Sequence, residues 1–244
     1  MTWLGHASAL VELGGRRLLV DPLFRRRARR AGAVDTVLIT HAHVDHLNRW
    51  TLKAIDRGAH LVVPRGAAGI VADLGFAKVT EVAPGDHIDL GGVDLVAVPT
   101  RHDNGRWRKS DLPVANGYML CAGDVAVHHA GDVDFSDHAI FDDLGKRFRV
   151  DATLLPIGGM LPTWYYRMRR RAFDRGVHID PDCALDIFER LGARTMVPVH
   201  WGTVNLRLGR PATPRHRLVQ VASDRGVDRL VRVLDHGETM QLTA

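Results

Sequence analysis

Cysteine and long apolar runs are both scarce in this chain of 244 residues. Its two cysteines, Cys121 and Cys183, belong to no CxxC pair, which excludes a disulfide framework and indicates a reducing compartment. No segment approaches the ~20 apolar residues needed to span a bilayer. Polar residues such as His6 and Glu12 interrupt the amino-terminal segment, which favours a strand over a secretory signal. We therefore expect a cytoplasmic protein, for which peripheral membrane contact stays open.

Linkers, internal repeats and low-complexity tracts are also missing. Glycine and proline are spread along the chain at turn-like places and are not gathered in a linker. The length suits one substantial core. We expect a single domain over residues 1–244.

Positive charge is concentrated in two arginine clusters, at residues 25–30 and 167–175, in a chain of net charge +5. Guanidinium groups bind phosphate bidentately, so the clusters favour a small anionic substrate, although a solvated basic helix would explain them equally well. A sequence pI of 9.7 also allows nucleic-acid binding as a further hypothesis. The chain lacks an aromatic and basic platform for single strands, so no stable nucleic-acid partner is expected.

Strand and helix patterns alternate along the chain. Apolar or β-branched runs predict strands at residues 2–13, 17–21, 36–39, 60–63, 93–99, 117–121, 125–130, 152–155, 195–199, 229–234 and 239–242. Helical spacing predicts helices at residues 47–57, 67–74, 180–191 and 214–225. The alternation indicates an α/β (α+β) fold in which helices face mixed sheets.

Three histidines and one aspartate lie within six positions of one another, directly after the apolar run 37–39. They are His41, His43, Asp45 and His46. Imidazole nitrogens and carboxylate oxygens suit zinc and related divalent ions, and few protein ligands per ion leave positions open for catalysis. On a strand, His41 and His43 would point the same way, and a following turn would let Asp45 and His46 face a second ion. One segment thus predicts ligands for two metals.

Spaced motifs surround this HxHxDH cluster. They are WLGHAS at 3–8, LVDP at 19–22, VPTRH at 98–102, AGD at 130–132, LPIGG at 155–159, HIDP at 178–181 and VHWGT at 199–203. Together they resemble the metallo-β-lactamase superfamily. Within it, the chain is similar to the branch that contains N-acyl-phosphatidylethanolamine-hydrolysing phospholipase D and the ascorbate-6-phosphate lactonase-like enzymes.

That resemblance implies an αββα sandwich of two mixed β-sheets flanked by helices, with two divalent metal ions at one sheet edge. By matching motifs, the implied ligands are His41, His43 and His102 on one ion, Asp45, His46 and His200 on the other, and Asp132 between them. Zinc suits this donor set, and manganese, iron or nickel would also fit it.

Supporting roles follow from the same resemblance. Asp21 is expected to accept the second N–H of the ligand histidines, which fixes their tautomer and orientation. His6 is expected beside it, although packing in a first hairpin is an equal alternative. Arg106 and Trp201 are implied in substrate binding.

The reaction implied is hydrolysis by a metal-bridging hydroxide, most directly of a phosphodiester in a small or lipid-derived substrate. The alternative is a lactonase or ester hydrolase acting on a phosphorylated lactone. Asp45 and His178 are the candidate catalytic residues, with His178 binding substrate or acting as an acid. HIDP is also an ordinary helix start, with Asp180 as the cap and Pro181 in the first turn.

Overall fold

Two six-stranded mixed sheets form the centre of the fold. The structure, a computed structural model, describes residues 1–102, 113–134, 138–158, 178–203 and 213–242. The strands of the first sheet are β1 Thr2–Gly5, β2 Ser8–Leu13, β3 Arg16–Val20, β4 Thr36–Leu38, β5 His60–Pro64 and β6 Lys78–Val82. Those of the second are β7 His87–Asp89, β8 Asp94–Pro99, β9 Asn116–Ala122, β10 Val125–His129, β11 Ala152–Pro156 and β12 Thr195–Val199.

The two sheets are built alike. In each of them spatial order follows chain order. Strands β1 to β3 pair antiparallel, and β3 to β6 continue in parallel. In the second sheet, β7 to β10 pair antiparallel and β10 to β12 in parallel. The central parallel strands are apolar and buried along their whole length, as a sheet covered on both faces requires.

Helices cover the outer faces of both sheets. They are α1 Arg25–Arg30, α2 Arg49–Leu52, α3 Ala68–Val71, α4 Ala139–Arg147, α5 Pro181–Leu191 and α6 Thr213–Asp224. The first three pack on the first sheet, where Ala28, Leu52 and Val71 join its buried outer residues. The last three belong to the core of the second sheet, and that core also fills the space between the sheets. The predicted αββα sandwich is confirmed.

The start of α5 shows how the sequence sets a helix boundary. The Asp180 side chain accepts a hydrogen bond from the backbone N–H of Cys183 at 3.0 Å, and Pro181 occupies the first turn. This satisfies a donor that the helix itself cannot pair. The helix ends at Gly192, whose φ of +61° suits glycine. The predicted helix at 180–191 and its cap agree with the structure.

Several predicted boundaries were wrong. The strand predicted at 2–13 is two strands, because the chain turns at His6 and Ala7. The helix predicted at 47–57 is reduced to Arg49–Leu52, since residues before it turn tightly around the metal-ligand motif. The two carboxy-terminal strands are absent from the described residues, where single bridges join Val231 to Met196 and Thr239 to Thr2.

Some elements were not predicted at all. They are α1, α4, β6 and β7. Helix α1 has the sequence RRRARR and buries only Ala28, so it carries no apolar periodicity. No helix in the described ranges is both long and apolar enough to cross a membrane. The second arginine cluster lies outside the described residues.

Candidate metal centre

The predicted ligand residues meet at one edge of the sandwich, in loops that follow strands. Strand β4 ends at Leu38, so His41 and His43 lie in the following loop and not on the strand that their alternation suggested. His102 follows β8, Asp132 follows β10 and His200 follows β12. The edge therefore gathers side chains from both sheets.

The first group contains His41, His43, His102 and Asp132. Nδ1 of His43 lies 2.8 Å from Nε2 of His41 and 3.1 Å from Nε2 of His102. Oδ2 of Asp132 lies 3.7 Å from Nε2 of His41 and 3.8 Å from Nε2 of His102. Three nitrogens and one carboxylate oxygen thus surround one point.

The second group lies on the other side of Asp132. Nε2 of His46 is 3.2 Å from Oδ2 of Asp132, and Nε2 of His200 is 3.4 Å from Oδ1. Oδ2 of Asp45 lies 3.8 Å from Nε2 of His200 and 4.0 Å from Nε2 of His46. Asp132 therefore faces both groups of ligand atoms, the first through Oδ2 and the second through both oxygens.

The chemistry of this donor set fits divalent metal ions. Two ligand atoms bound to one tetrahedral zinc ion at ~2.0–2.2 Å lie roughly 3.3–3.6 Å apart. The distances within both groups, from 2.8 to 4.0 Å, bracket that value. Among the described residues, Nε2 of His46, Nε2 of His200 and both oxygens of Asp132 are buried without a hydrogen-bond partner. Buried polar atoms are rarely left so, and metal ions bound at this centre would satisfy all four.

Asp21 fixes the orientation of His46. Its carboxylate is fully buried and accepts the His46 Nδ1–H at 2.8 Å, as well as the backbone N–H and hydroxyl of Thr40 at 2.8 and 2.6 Å. Since the Thr40 hydroxyl donates to Asp21, it accepts from Nδ1–H of His41 at 3.0 Å. Both histidines are left with Nε2 facing the centre, where the resemblance places the metals. The role of Thr40 was not predicted.

Asp134 performs the same task for His102. Its Oδ1 accepts from His102 Nδ1–H at 2.7 Å, in nearly complete burial. Asp134 lies two residues beyond Asp132, and that spacing after a buried strand is the one sequence signal that pointed to it. It was missed because an isolated aspartate is usually a turn residue.

His6 contacts the centre through Asp45. Its Nε2–H donates to Oδ2 of Asp45 at 2.9 Å, and Nδ1 accepts from the Thr203 hydroxyl at 3.1 Å. The backbone of His6 has a φ of +56°, which is strained for a residue other than glycine. Its carbonyl is held by Trp3 Nε1–H at 2.8 Å and by His200 N–H at 2.9 Å. His6 therefore joins the first hairpin to both Asp45 and His200.

The unusual backbone is concentrated at this centre. The described non-glycine residues with positive φ are His6, Asp21 and His200. Close approach adds a second constraint, since a Cβ on Gly158 would lie 1.9 Å from the carbonyl oxygen of His200. Strain of this kind persists where the surrounding structure enforces it, and here it aims side chains at one point.

A buried histidine outside the predicted set ties two loops of the centre together. His129, at the end of β10, donates from Nε2 to the carbonyl of Ala7 at 2.9 Å and accepts at Nδ1 from the Gly131 N–H at 3.1 Å. Burial lowers the pKa of His129, which keeps the ring neutral, so that one nitrogen can donate a hydrogen bond while the other accepts one. Its two bonds reach the neighbours of His6 and Asp132.

Ionisation at the centre favours metal binding at His41 and Asp132 and opposes it at His200. Burial lowers the pKa of His41 well below its usual value, which leaves a neutral ring. Burial would raise the pKa of Asp132, but the charges of His200 and His46 hold it well below its usual range. Burial would likewise lower the pKa of His200, but the negative charge of Asp132 raises it to about 9. Metal would therefore compete with a proton at His200.

His178 lies against the same carboxylate. A single antiparallel bridge pairs it with Asp134, and its Nδ1 lies 3.4 Å from Oδ2 of Asp132. Its ring stacks on that of His200, with centroids 4.9 Å apart. Burial lowers the pKa of His178 to about 3, so the ring is neutral.

Of the two predicted substrate-binding residues, the structure describes one. Trp201 is 8 % exposed and stacks on Trp3 with ring centroids 5.1 Å apart. Its Nε1–H donates to the carbonyl of Pro198 at 3.0 Å, so the structure gives it a packing role, and substrate contact stays a prediction. Arg106 lies outside the described residues.

The family follows from comparison with known proteins. The model of the beta-lactamase superfamily domain matches residues 16–201. The chain belongs to the metallo-β-lactamase superfamily. A UPF0173 protein of Pyrococcus furiosus is 34 % identical over 83 % of both chains. A UPF0173 metal-dependent hydrolase of Methanoregula boonei is 28 % identical over 99 % of this chain and 97 % of its own.

Solved structures of two hydrolases share the fold. Igni18, a metallo hydrolase from Ignicoccus hospitalis, superimposes with a TM-score of 0.73 at 24 % identity, over 98 % of this chain and 96 % of its own. An isothiocyanate hydrolase from Delia radicum gut bacteria reaches 0.78 at 18 % identity, over 100 % and 98 %. The family model over residues 16–201 confirms the predicted superfamily, and metal-dependent hydrolases are among the relatives of the chain. Membership of the phospholipase-like branch stays a prediction.

Proposed function

We propose that this protein is a binuclear metal-dependent hydrolase that cleaves a phosphodiester in a small anionic substrate. The observation that carries the proposal is the position of Asp132. Each of its buried oxygens faces a histidine of the second group, and Oδ2 also faces the first group. One carboxylate between two sets of ligand atoms is an arrangement for two ions and not for one.

The metals would supply an activated water and stabilise the charge that develops on the attacked phosphoryl oxygen. The protein's part is to hold the ligands in a fixed arrangement. Asp21, Thr40 and Asp134 set the ring orientation of three histidines through their Nδ1–H groups. Neither cysteine takes part, and no side-chain nucleophile is needed.

His178 is the residue we assign to the substrate. Its neutral ring can donate a hydrogen bond to a phosphoryl oxygen. This role suits a pKa of about 3, at which the ring holds no extra proton to transfer at neutral pH. Substitution by alanine should therefore raise KM more than it lowers kcat. A pH profile that loses its alkaline limb in the variant would instead make His178 a general acid, and loss of the acidic limb would make it a general base.

The proposal is tested by paired hydrolysis assays. Protein reconstituted with zinc, manganese, iron or nickel would be offered bis(p-nitrophenyl) phosphate and a panel of lactones. The blank is the His41→Ala/His43→Ala double variant, and the control is Cys183→Ala, which should retain full activity because Cys183 lies in α5 away from the ligands. Phosphodiester turnover that is lost in the blank supports the proposal. Turnover confined to lactones would replace it by the lactonase alternative.

A further inference from the structure

Two large apolar side chains beside the metal centre are exposed. Val44 is 63 % exposed although it lies between His43 and Asp45. Trp50, on α2, is 62 % exposed and lies four residues after His46. Tryptophan is enriched among the residues that carry binding energy at interfaces, so its exposure four residues from a candidate metal ligand favours a binding role.

A cation covers the exposed tryptophan. The guanidinium carbon of Arg25 lies 4.8 Å from the centre of the Trp50 ring. Arg25 is the first residue of α1 and lies four residues after Asp21. Helix α2, which carries Trp50, begins three residues after His46. Four residues of chain span at most ~15 Å, so both side chains are tethered close to the ligand loop. The pair offers an aromatic face and a positive charge in one place.

Asn48 holds the surface together. Its Oδ1 caps α2 by accepting from the Thr51 N–H at 2.9 Å, while its Nδ2 donates to the carbonyl of Val44 at 3.1 Å. The Thr51 hydroxyl donates to the carbonyl of Leu23, just before α1. An aspartate at position 48 could cap the helix but could not donate to Val44. The amide therefore fixes Val44 relative to the helix that carries Trp50.

We propose that Val44, Trp50 and Arg25 form a recognition subsite for the part of the substrate that does not react, and that this part is a flat apolar group bearing a negative charge. The inference rests on the proposed function, since it names the substrate class of the same centre. The apolar body would lie on Val44 and Trp50, and its anionic group would pair with Arg25.

A small molecule fits this surface better than a bilayer does. An interfacial helix needs a broad apolar face, whereas α1 buries one alanine inward and carries five arginines. The exposed apolar area is that of one valine and one tryptophan, enough for a single aromatic substituent. The single arginine over the Trp50 ring can pair with a single negative charge on the substrate.

Direct binding of 2-naphthalenesulfonate to the metal-loaded protein tests the subsite without turnover. Because a 1.4 kcal/mol loss of contact is tenfold in affinity, Trp50→Ala and Arg25→Ala should each raise its Kd about tenfold or more. Asn48→Asp should weaken binding by a smaller factor, since the helix cap remains. The matched controls are Val219→Ala on α6, which is 51 % exposed, and Arg29→Ala, which is exposed on α1; both should bind as the wild type does.

The outcomes separate the subsite from the proposed reaction. Binding that depends on Trp50 and Arg25 supports the subsite even in a protein that hydrolyses no phosphodiester. Phosphodiester turnover with probe binding unchanged in both variants would overturn the subsite and leave the reaction standing. Binding of wild type, but not Trp50→Ala, to phosphatidylglycerol vesicles without affinity for the soluble probe would overturn it in favour of a membrane contact.

Discussion

Replacing Asp21 by asparagine is the sharpest test of how the fold holds the metal ligands. The carboxylate is completely buried and accepts three hydrogen bonds, two from Thr40 and one from His46. Asparagine has the same shape and tolerates the φ of +43° at this position. The change therefore removes charge and acceptor capacity while it leaves the backbone conformation accessible.

The expected loss follows from the hydrogen-bond inventory. An amide offers one acceptor oxygen, so its NH₂ must face either the Thr40 backbone N–H, which bonds Oδ1, or the Thr40 hydroxyl and the His46 Nδ1–H, which share Oδ2. At least one buried donor then has no acceptor, which costs about 1–3 kcal/mol of stability. If that donor is His46, its ring is free to turn. Loss of such a partner lowers metal affinity by roughly 10–100-fold.

Two assays measure these losses. Competition with a chromophoric chelator gives the affinity for each zinc equivalent, and urea unfolding gives the stability of the metal-free protein. The control is Asp35→Asn, because Asp35 also accepts a backbone N–H, at 2.8 Å, but lies on the surface. Zinc affinity for both equivalents equal to that of the wild type in Asp21→Asn would refute the reasoning.

Three further predictions concern the same centre. Gly158→Ala should displace the backbone of His200, because the new Cβ would lie 1.9 Å from its carbonyl oxygen; metal analysis should show loss of an ion, and full occupancy would contradict the contact. At pH 7, zinc uptake should release a proton from His200, whose pKa is raised to about 9, so affinity should strengthen as pH rises towards 9. Calorimetry in buffers of different ionisation enthalpy measures that release. In the metal-free protein the stabilisation from this raised pKa is complete below the unfolded value of about 6.5 and is lost as pH rises through 9. His129→Gln should weaken both bonds to Ala7 and Gly131 and destabilise the protein by about 2–4 kcal/mol in urea unfolding, and unchanged stability would refute its bridging role.

Sequence reasoning reached the candidate ligands by two routes. The HxHxDH cluster has a local signal, because four metal-binding side chains follow one apolar run. The assignments of His102, Asp132 and His200, and the supporting role of Asp21, came from motifs that resemble those of the superfamily, since spacing alone could not select them among the other histidines and aspartates. The structure brings these residues together at one edge of the sandwich.

The residues that hydrogen-bond to the candidate ligands or tie their loops together could not be predicted from the sequence, because these roles depend on contacts between distant positions in the chain. Asp134 faces His102 from 32 positions away, and His129 reaches Ala7 across 122 positions. Nothing in the local pattern separates His129 from His128, which precedes it in β10 and bonds to Thr153 instead. Helix α1 was missed for a different reason, since six residues with one buried alanine have no periodicity to detect.

Anomalous diffraction from crystals of the zinc-loaded protein tests the central claim most directly. The account predicts two peaks about 3.5–4 Å apart with Asp132 between them, one beside His41, His43 and His102 and the other beside Asp45, His46 and His200. A single peak under saturating zinc, or peaks that Asp132 does not contact, would contradict the binuclear centre.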